Sequence, residues 1–172
     1  AAPESEPGIG PAPPPGDRSL PTIEMTTRLP APADRVWAEL QKPRLLQYVA
    51  AGRLRFVPVE PPAFPERWRE GDYRVALRGP GRLPLGEQVI SIRIRESERE
   101  LHDHGSSPLF RRWEHRISVE PDGPAASRYT DRIDFDAGYL NLLLLPLVKS
   151  FFRHRQRRWR RLVGNGFDYL AD

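Results

Sequence analysis

Four polar residues stand at positions where an interior should be apolar: Asp103, His115, Asp131 and Arg155. Their types suit two kinds of chemistry. A histidine beside a carboxylate can accept and return a proton, and a desolvated arginine can hold an anion or polarise a carbonyl. Periodicity places Arg155. At about 100° per residue, Val148, Phe151, Phe152, Arg155, Trp159, Leu162 and Val163 fall within roughly a third of a helix circumference. Lys149, Ser150, Arg153, Arg157, Arg160 and Arg161 fall opposite. Arg155 therefore interrupts a core-facing stripe, where a charge is costly unless something pairs with it.

Strand alternation places the other three. If Ile117 and Val119 point inward, so do Trp113 and His115; if Ile133 and Phe135 point inward, so do Tyr129 and Asp131. Leu101 likewise brings Asp103 in, and the alternating strand 72–78 brings in Tyr73. A five-residue turn at 121–125 would set His115 directly opposite Asp131, and a two-residue slip would make them diagonal neighbours. The expected result is a polar cluster of Asp103, His115 and Asp131 beneath the helix, with Arg155 above it.

Three readings of that cluster stay open. Arg155 and His115 bind a polar head group while Tyr73, Trp113, Phe151, Phe152 and Trp159 hold an apolar body, with Asp103 and Asp131 at the polar end. Alternatively, Arg155 pairs with Asp131 or Asp103 and the cluster neutralises itself. In the third reading the two carboxylates raise the histidine pKa. His115 and Asp131 then form an acid–base pair, and Arg155 orients a carbonyl or carboxylate.

The elements that must position these residues follow from local pattern. Thr22 to Leu29 alternates as a strand, closed by Pro30 and Pro32. Pro32 to Leu40 has proline and acid in its first turn and Val36, Trp37 and Leu40 at helical spacing. A second short helix is expected from Pro43 to Ala50, stopping before Gly52. Strands are expected at 54–59, 72–78, 87–95, 99–104, 110–120 and 126–136, with a turn-rich connection at 79–86. Strands at this spacing without helices between them imply an antiparallel meander with one wet face. The helix 140–163 ends the series.

Composition narrows the function classes. No cysteine is present, which removes disulfides, thiolate ligands and a cysteine nucleophile. Residues 1–19 carry six prolines and three glycines with almost no large apolar side chain, and are expected to be a disordered tail ahead of one domain at 20–172. The chain has 27 basic residues and a net charge of +4. Nucleic acid is not expected as a partner, because no base-reading element accompanies the arginines. The apolar run 142–148 is far short of the ~20 residues a spanning helix needs, so the expected location is cytoplasmic, at most peripheral to a membrane. Arg153, Arg157, Arg160 and Arg161 would touch an acidic membrane surface if any did. His102 and His104 share one strand face but lack a third ligand, so both are expected to face solvent and no metal is expected. Gly79 to Arg82 lacks the lysine and following helix of a phosphate loop, and no cofactor is expected.

The ordered set of local patterns resembles the START and birch-pollen-allergen superfamily (SRPBCC, the helix-grip fold), specifically its bacterial polyketide-cyclase-like branch. The residues that carry the resemblance are Pro32 to Trp37, Trp68 to Asp72, Leu101 to Gly105, Pro108 to His115, Ser127 to Asp134 and Phe151 to Arg155. The resemblance implies an α+β fold in which a curved antiparallel sheet of about seven strands wraps a long C-terminal helix, with two short helices after the first strand. It implies a ligand cavity between sheet and helix. The expected function is therefore binding or carriage of a small hydrophobic or amphipathic molecule: a lipid, a quinone or a polyketide-like compound. The alternatives are an enzyme of the cyclase, aromatase or dehydratase type, and a module that docks a membrane or protein through the basic helix face.

Overall fold

A computed structural model describes residues 20–171; the expected tail at 1–19 lies outside the described residues. Strand β1 (Thr22–Leu29) leads into helices α1 (Ala33–Leu40) and α2 (Pro43–Ala50). Strands β2 (Arg55–Glu60), β3 (Gly71–Arg78), β4 (Pro84–Arg95), β5 (Glu100–Gly105), β6 (Arg112–Pro121) and β7 (Ser127–Asp136) follow, and helix α3 (Asn141–Gly164) closes the fold. The seven strands form one antiparallel sheet in the order β1-β7-β6-β5-β4-β3-β2. This is the helix-grip α+β fold. Pro58 sits in β2, an edge strand, where a missing ladder donor is tolerated.

The sequence patterns explain the elements. β7 alternates without a break, with Ser127, Tyr129, Asp131, Ile133 and Phe135 all buried. α3 buries Val148, Phe152, Arg155, Gln156, Trp159, Leu162 and Val163, which is the expected stripe with Gln156 added and Phe151 only half-buried. Two core clusters result. Phe152 and Val148 pack on Ile23, Ile133 and Phe135. Trp159, Leu162 and Val163 join α1, α2 and the inward residues of β3 to β7. The helices are tied by side chains that satisfy carbonyls at the end of α2: His154 Nε2 lies 2.8 Å from the Ala51 oxygen, and Arg158 Nε donates to the Tyr48 oxygen at 2.7 Å.

Two expectations are corrected. β6 runs through Pro121, which pairs with Ser127, so the connecting loop is 122–126 and is closed by Asp122 N–H donating to the Ala126 oxygen. The register shifts by two: His115 faces Ile133, and Asp131 faces Ile117. His115 and Asp131 are therefore diagonal neighbours. The connection at 79–86 is also shorter than expected. A 3-10 turn at Pro80–Arg82, with Gly81 at a φ of +65°, returns the chain so that β4 already begins at Pro84.

Phe152 carries the junction between α3 and the β1–β7 edge, since its ring is fully buried against Ile133 and Phe135. Phe152→Ala should cost about 3–5 kcal/mol of stability through lost burial and the cavity it leaves. Urea unfolding of the variant and the parent measures this directly.

Candidate functional site

The helices and the sheet enclose a cavity of about 650 Å³. One wall is the sheet, through Phe56, Ile90, Ile92 and Ile117; the other is Leu45 of α2 and Phe151 of α3. Polar groups are few and gather on neighbouring elements. Asp103 on β5 faces His115 on β6 in the ladder, and Arg155 reaches in from α3. Trp113, one pair along β6, lies beside them. Arg53, Leu85, Glu87, Leu109 and Leu147 line the cavity and are exposed, so they form its mouth.

Five of the nine residues expected at the site line this cavity: Asp103, Trp113, His115, Phe151 and Arg155. The other four do not. Tyr73 packs edge-on to Trp68 and binds the Arg69 backbone through its hydroxyl. Phe152 and Trp159 sit on the sheet side of the stripe and are fully buried in the core. Asp131 lies behind His115 with no exposure. The stripe on α3 is wide enough to serve two surfaces, and only one of its edges meets the cavity.

Asp131 is a hub. Its Oδ1 accepts from His115 Nε2 at 2.9 Å and from the Tyr129 hydroxyl at 2.8 Å, and its Oδ2 accepts from Gln156 Nε2 at 3.1 Å. Burial opposes its charge, but the His115 hydrogen bond, the Arg155 charge and the Gln156 amide outweigh burial and hold its pKa below the ordinary value. Gln156 also donates to the Met25 backbone oxygen at 2.8 Å, which joins α3 to β1. Sequence reading missed Gln156. The signal was present: it lies four residues after Phe152 and three before Trp159, inside the stripe.

His115 corrects a second expectation. Its pKa is lowered, because burial and the Arg155 charge oppose protonation more than Asp131 favours it. The Nε2 hydrogen bond to Asp131 makes Nε2 the protonated nitrogen of the neutral ring. Its ring stands edge-on to Phe152, 4.9 Å between centroids. Asp103 moves the other way. Desolvation raises its pKa from 3.8 to about 7, against the Ser91 N–H, the Arg155 charge and the Trp113 indole. Ser91 N–H donates to its Oδ1 at 3.0 Å.

Neither expected Arg155 pair forms: among the described residues, Asp131 is spent on His115, Tyr129 and Gln156, and Asp103 on Ser91. The Arg155 guanidinium lies instead over the rings of Phe152 and Phe151, 4.9 and 5.9 Å from their centroids, and its Nε is buried without a partner. Of the two histidines of β5, only His102 differs from the expected solvent-facing position. His102 is covered, with Nε2 3.1 Å from Glu100 Oε2, while His104 is exposed and bound to Glu114.

The helix-grip fold is shared by several solved structures, a START superfamily protein among them. A START superfamily protein from Mycobacterium smegmatis aligns with a TM-score of 0.62 at 13% identity, covering 84% of this chain and 97% of its own. Norcoclaurine synthase from Thalictrum flavum aligns at 0.65 and 14% identity, covering 87% and 97%. The Zhui aromatase/cyclase from Streptomyces sp. R1128 aligns at 0.59 and 11% identity, covering 84% and 91%. These likenesses concern the fold. No curated protein matches the chain in sequence. The sequence model of the family described as "Domain of unknown function (DUF8410)" matches residues 63–163, more than half the chain, and the protein belongs to that family.

The two displaced pKa values have opposite consequences for stability. Asp103 binds its proton more tightly when folded, so its contribution is greatest at low pH and is lost as pH rises through about 7. His115 is lowered from 6.5, so its contribution is complete above that value and lost as pH falls below it. Just above pH 6.5 the two still oppose each other, because the unfolded histidine is half protonated at 6.5, so the Asp103 effect is isolated by comparing the parent with an Asp103 variant. Raising pH from about 6.5 to about 8 should lower the unfolding free energy of the parent by about 1 kcal/mol relative to Asp103→Asn, which should lose the fall. Urea titrations of both proteins at both pH values provide the test; an unchanged fall in the variant would refute the raised Asp103 pKa.

Proposed function

We propose that this protein binds and carries a small hydrophobic or amphipathic molecule in the cavity between sheet and α3. The observation that carries the reading is the lining itself. A space of about 650 Å³ walled mostly by Leu, Ile, Phe and Trp is within the range of small-molecule sites. A few convergent polar groups at one region of its wall supply orientation. The structural neighbours include a START protein, a cyclase and a synthase, and a lipid, quinone or polyketide-like compound fits such a space.

The cavity mouth supports loading at an acidic membrane surface. Tyr139, Leu142 and Leu143 are 90%, 83% and 65% exposed, and Leu83, Leu85, Leu109 and Leu147 are exposed as well. Three of these leucines, Leu85, Leu109 and Leu147, also line the cavity, beside Arg53 and Glu87, so an apolar ligand leaving a bilayer would meet apolar side chains at the mouth. Farther along α3, Arg153, Arg157, Arg160 and Arg161 are exposed on the outward side, and Arg160 also touches Thr27. No helix among the described residues is long and apolar enough to cross a membrane.

A second reading is an enzyme of the cyclase or dehydratase type, and the 2.9 Å His115–Asp131 pair favours it. In that reading neutral His115 takes a proton through Nδ1, Asp131 holds the ring, and Arg155 stabilises the developing oxyanion.

Binding is tested with an environment-sensitive apolar fluorophore titrated into the full chain. Leu144 borders the cavity from α3, so Leu144→Trp should fill it and weaken binding by about tenfold or more, the scale of ~1.4 kcal/mol. An intact affinity in that variant would count against the cavity as the binding place. Membrane loading is tested by vesicle flotation. Parent protein should bind vesicles rich in acidic lipid, binding should fall with added salt, and replacing Leu142, Leu143 and Leu147 together by Ser should abolish it. Equal binding by that variant would remove the mouth from the contact.

A further inference from the structure

Arg155 is only 9% exposed, and among the described residues no carboxylate forms a contact ion pair with it; the Tyr129 hydroxyl is a neutral polar neighbour, and Asp103 and Asp131 act on it only through the field. Three side-chain polar atoms are buried without a partner among the described residues, and Arg155 Nε is the one that belongs to the cavity lining. Asp131 spends both oxygens on His115, Tyr129 and Gln156. Asp103 accepts from Ser91 N–H and lies beside the Trp113 indole. Rings of Phe151 and Phe152 shield the guanidinium from water on one side. A buried, unpaired cation is expensive, and the space open to it is the cavity.

We propose that the cavity takes the carboxylate of an apolar monocarboxylic acid, with the Arg155 guanidinium as its counter-charge and the Asp103 carboxyl controlling whether that charge is free. The proposal rests on the cavity being a ligand site. A planar guanidinium presents parallel N–H groups that match a carboxylate. A phosphate dianion fits less well, because it sets two negative charges near Asp103 and Asp131 against one cation. The remaining wall is mostly apolar and suits an aliphatic or aromatic body.

Asp103 makes capture depend on pH. The groups facing it are Ser91 and Gln88 from β4, His115, Trp113 and Glu114 from β6, and Arg155 from α3. Glu114 is held by His104 and Arg112. His115, with its lowered pKa, adds no charge above 6.5. Below about 7 Asp103 is neutral and Arg155 attracts the ligand; above it, Asp103 is charged, repels the ligand carboxylate and competes for Arg155. Affinity for an acid therefore falls as pH rises, and affinity for a neutral analogue does not.

The test compares dansyl-labelled undecanoic acid with its methyl ester by fluorescence titration of the full chain, near pH 6 and near pH 8.5, bracketing the Asp103 pKa of about 7. The acid should bind at least about tenfold tighter than the ester at the lower pH, the scale of one charge-assisted hydrogen bond. That ratio should shrink at the higher pH. Arg155→Gln should bring it close to one, Arg155→Lys should keep part of it, and Asp103→Asn should hold it constant with pH. Ester binding by each variant reports that the cavity is still formed. Equal binding of acid and ester by the parent overturns the carboxylate site and leaves the cavity reading standing. Loss of the ratio in Arg53→Gln but not in Arg155→Gln places the anion at the mouth and also overturns it. Failure of both probes to bind overturns the cavity reading itself.

Discussion

Asp131 has no contact with solvent, yet its carboxylate stays ionised because donors reach it from three elements. His115 comes from β6, Tyr129 from its own strand β7, and Gln156 from α3. A buried charge tolerates this position only when its hydrogen-bonding capacity is filled. The geometry of all three elements is thereby constrained together. Gln156 extends the constraint to β1 through the Met25 oxygen, so one amide fixes the depth at which the helix lies on the sheet edge. Removing any single donor would leave a charge partly unmet, and this is where breaking a buried network costs most.

Because Asp131 is spent in holding the helix, Arg155 is left over. The two residues would form an obvious ion pair, and the structure spends the acid elsewhere. Next along α3, Arg155 therefore turns to the cavity, with its guanidinium over the rings of Phe152 and Phe151. The same arrangement governs the two other titratable groups. Arg155 and burial together lower the His115 pKa, while burial raises that of Asp103 despite Arg155. Near neutral pH the polar part of the cavity carries a cation, a neutral imidazole and a carboxyl near its midpoint. That set favours binding an anion over building a self-contained salt bridge.

Much of this was legible in the sequence, and the rest was hidden for physical reasons. Periodicity placed α2 at its observed limits and α3 within a residue. Alternation named the inward residues of β5, β6 and β7, because one buried face leaves a period of two. Register escaped by one pair: both turn placements have five residues and preserve the parity that puts His115 and Asp131 on one face. Only the Asp122–Ala126 hydrogen bond distinguishes them. The direction of the histidine pKa also escaped, because counting neighbouring charges leaves out desolvation, the larger effect here. Gln156 was passed over because an amide is neither apolar enough to mark a core stripe nor charged enough to stand out within one.

The widest miss concerns α3, and it explains why cavity and core residues were grouped together. At about 100° per residue, Phe151 and Arg155 lie some 40° apart, and Phe152, Gln156 and Trp159 cluster farther round on the same apolar side. The first pair meets the cavity; the second set meets β1, β7 and the core. Both edges are apolar, so hydrophobicity alone reads them as one stripe. What separates them is the curvature of the sheet, which touches one edge and stands away from the other. The cavity exists because the helix is gripped along one edge only. Arg155 on the free edge and Gln156 on the held edge are neighbours in sequence with opposite tasks: one fastens the helix to Asp131, and the other is kept from it.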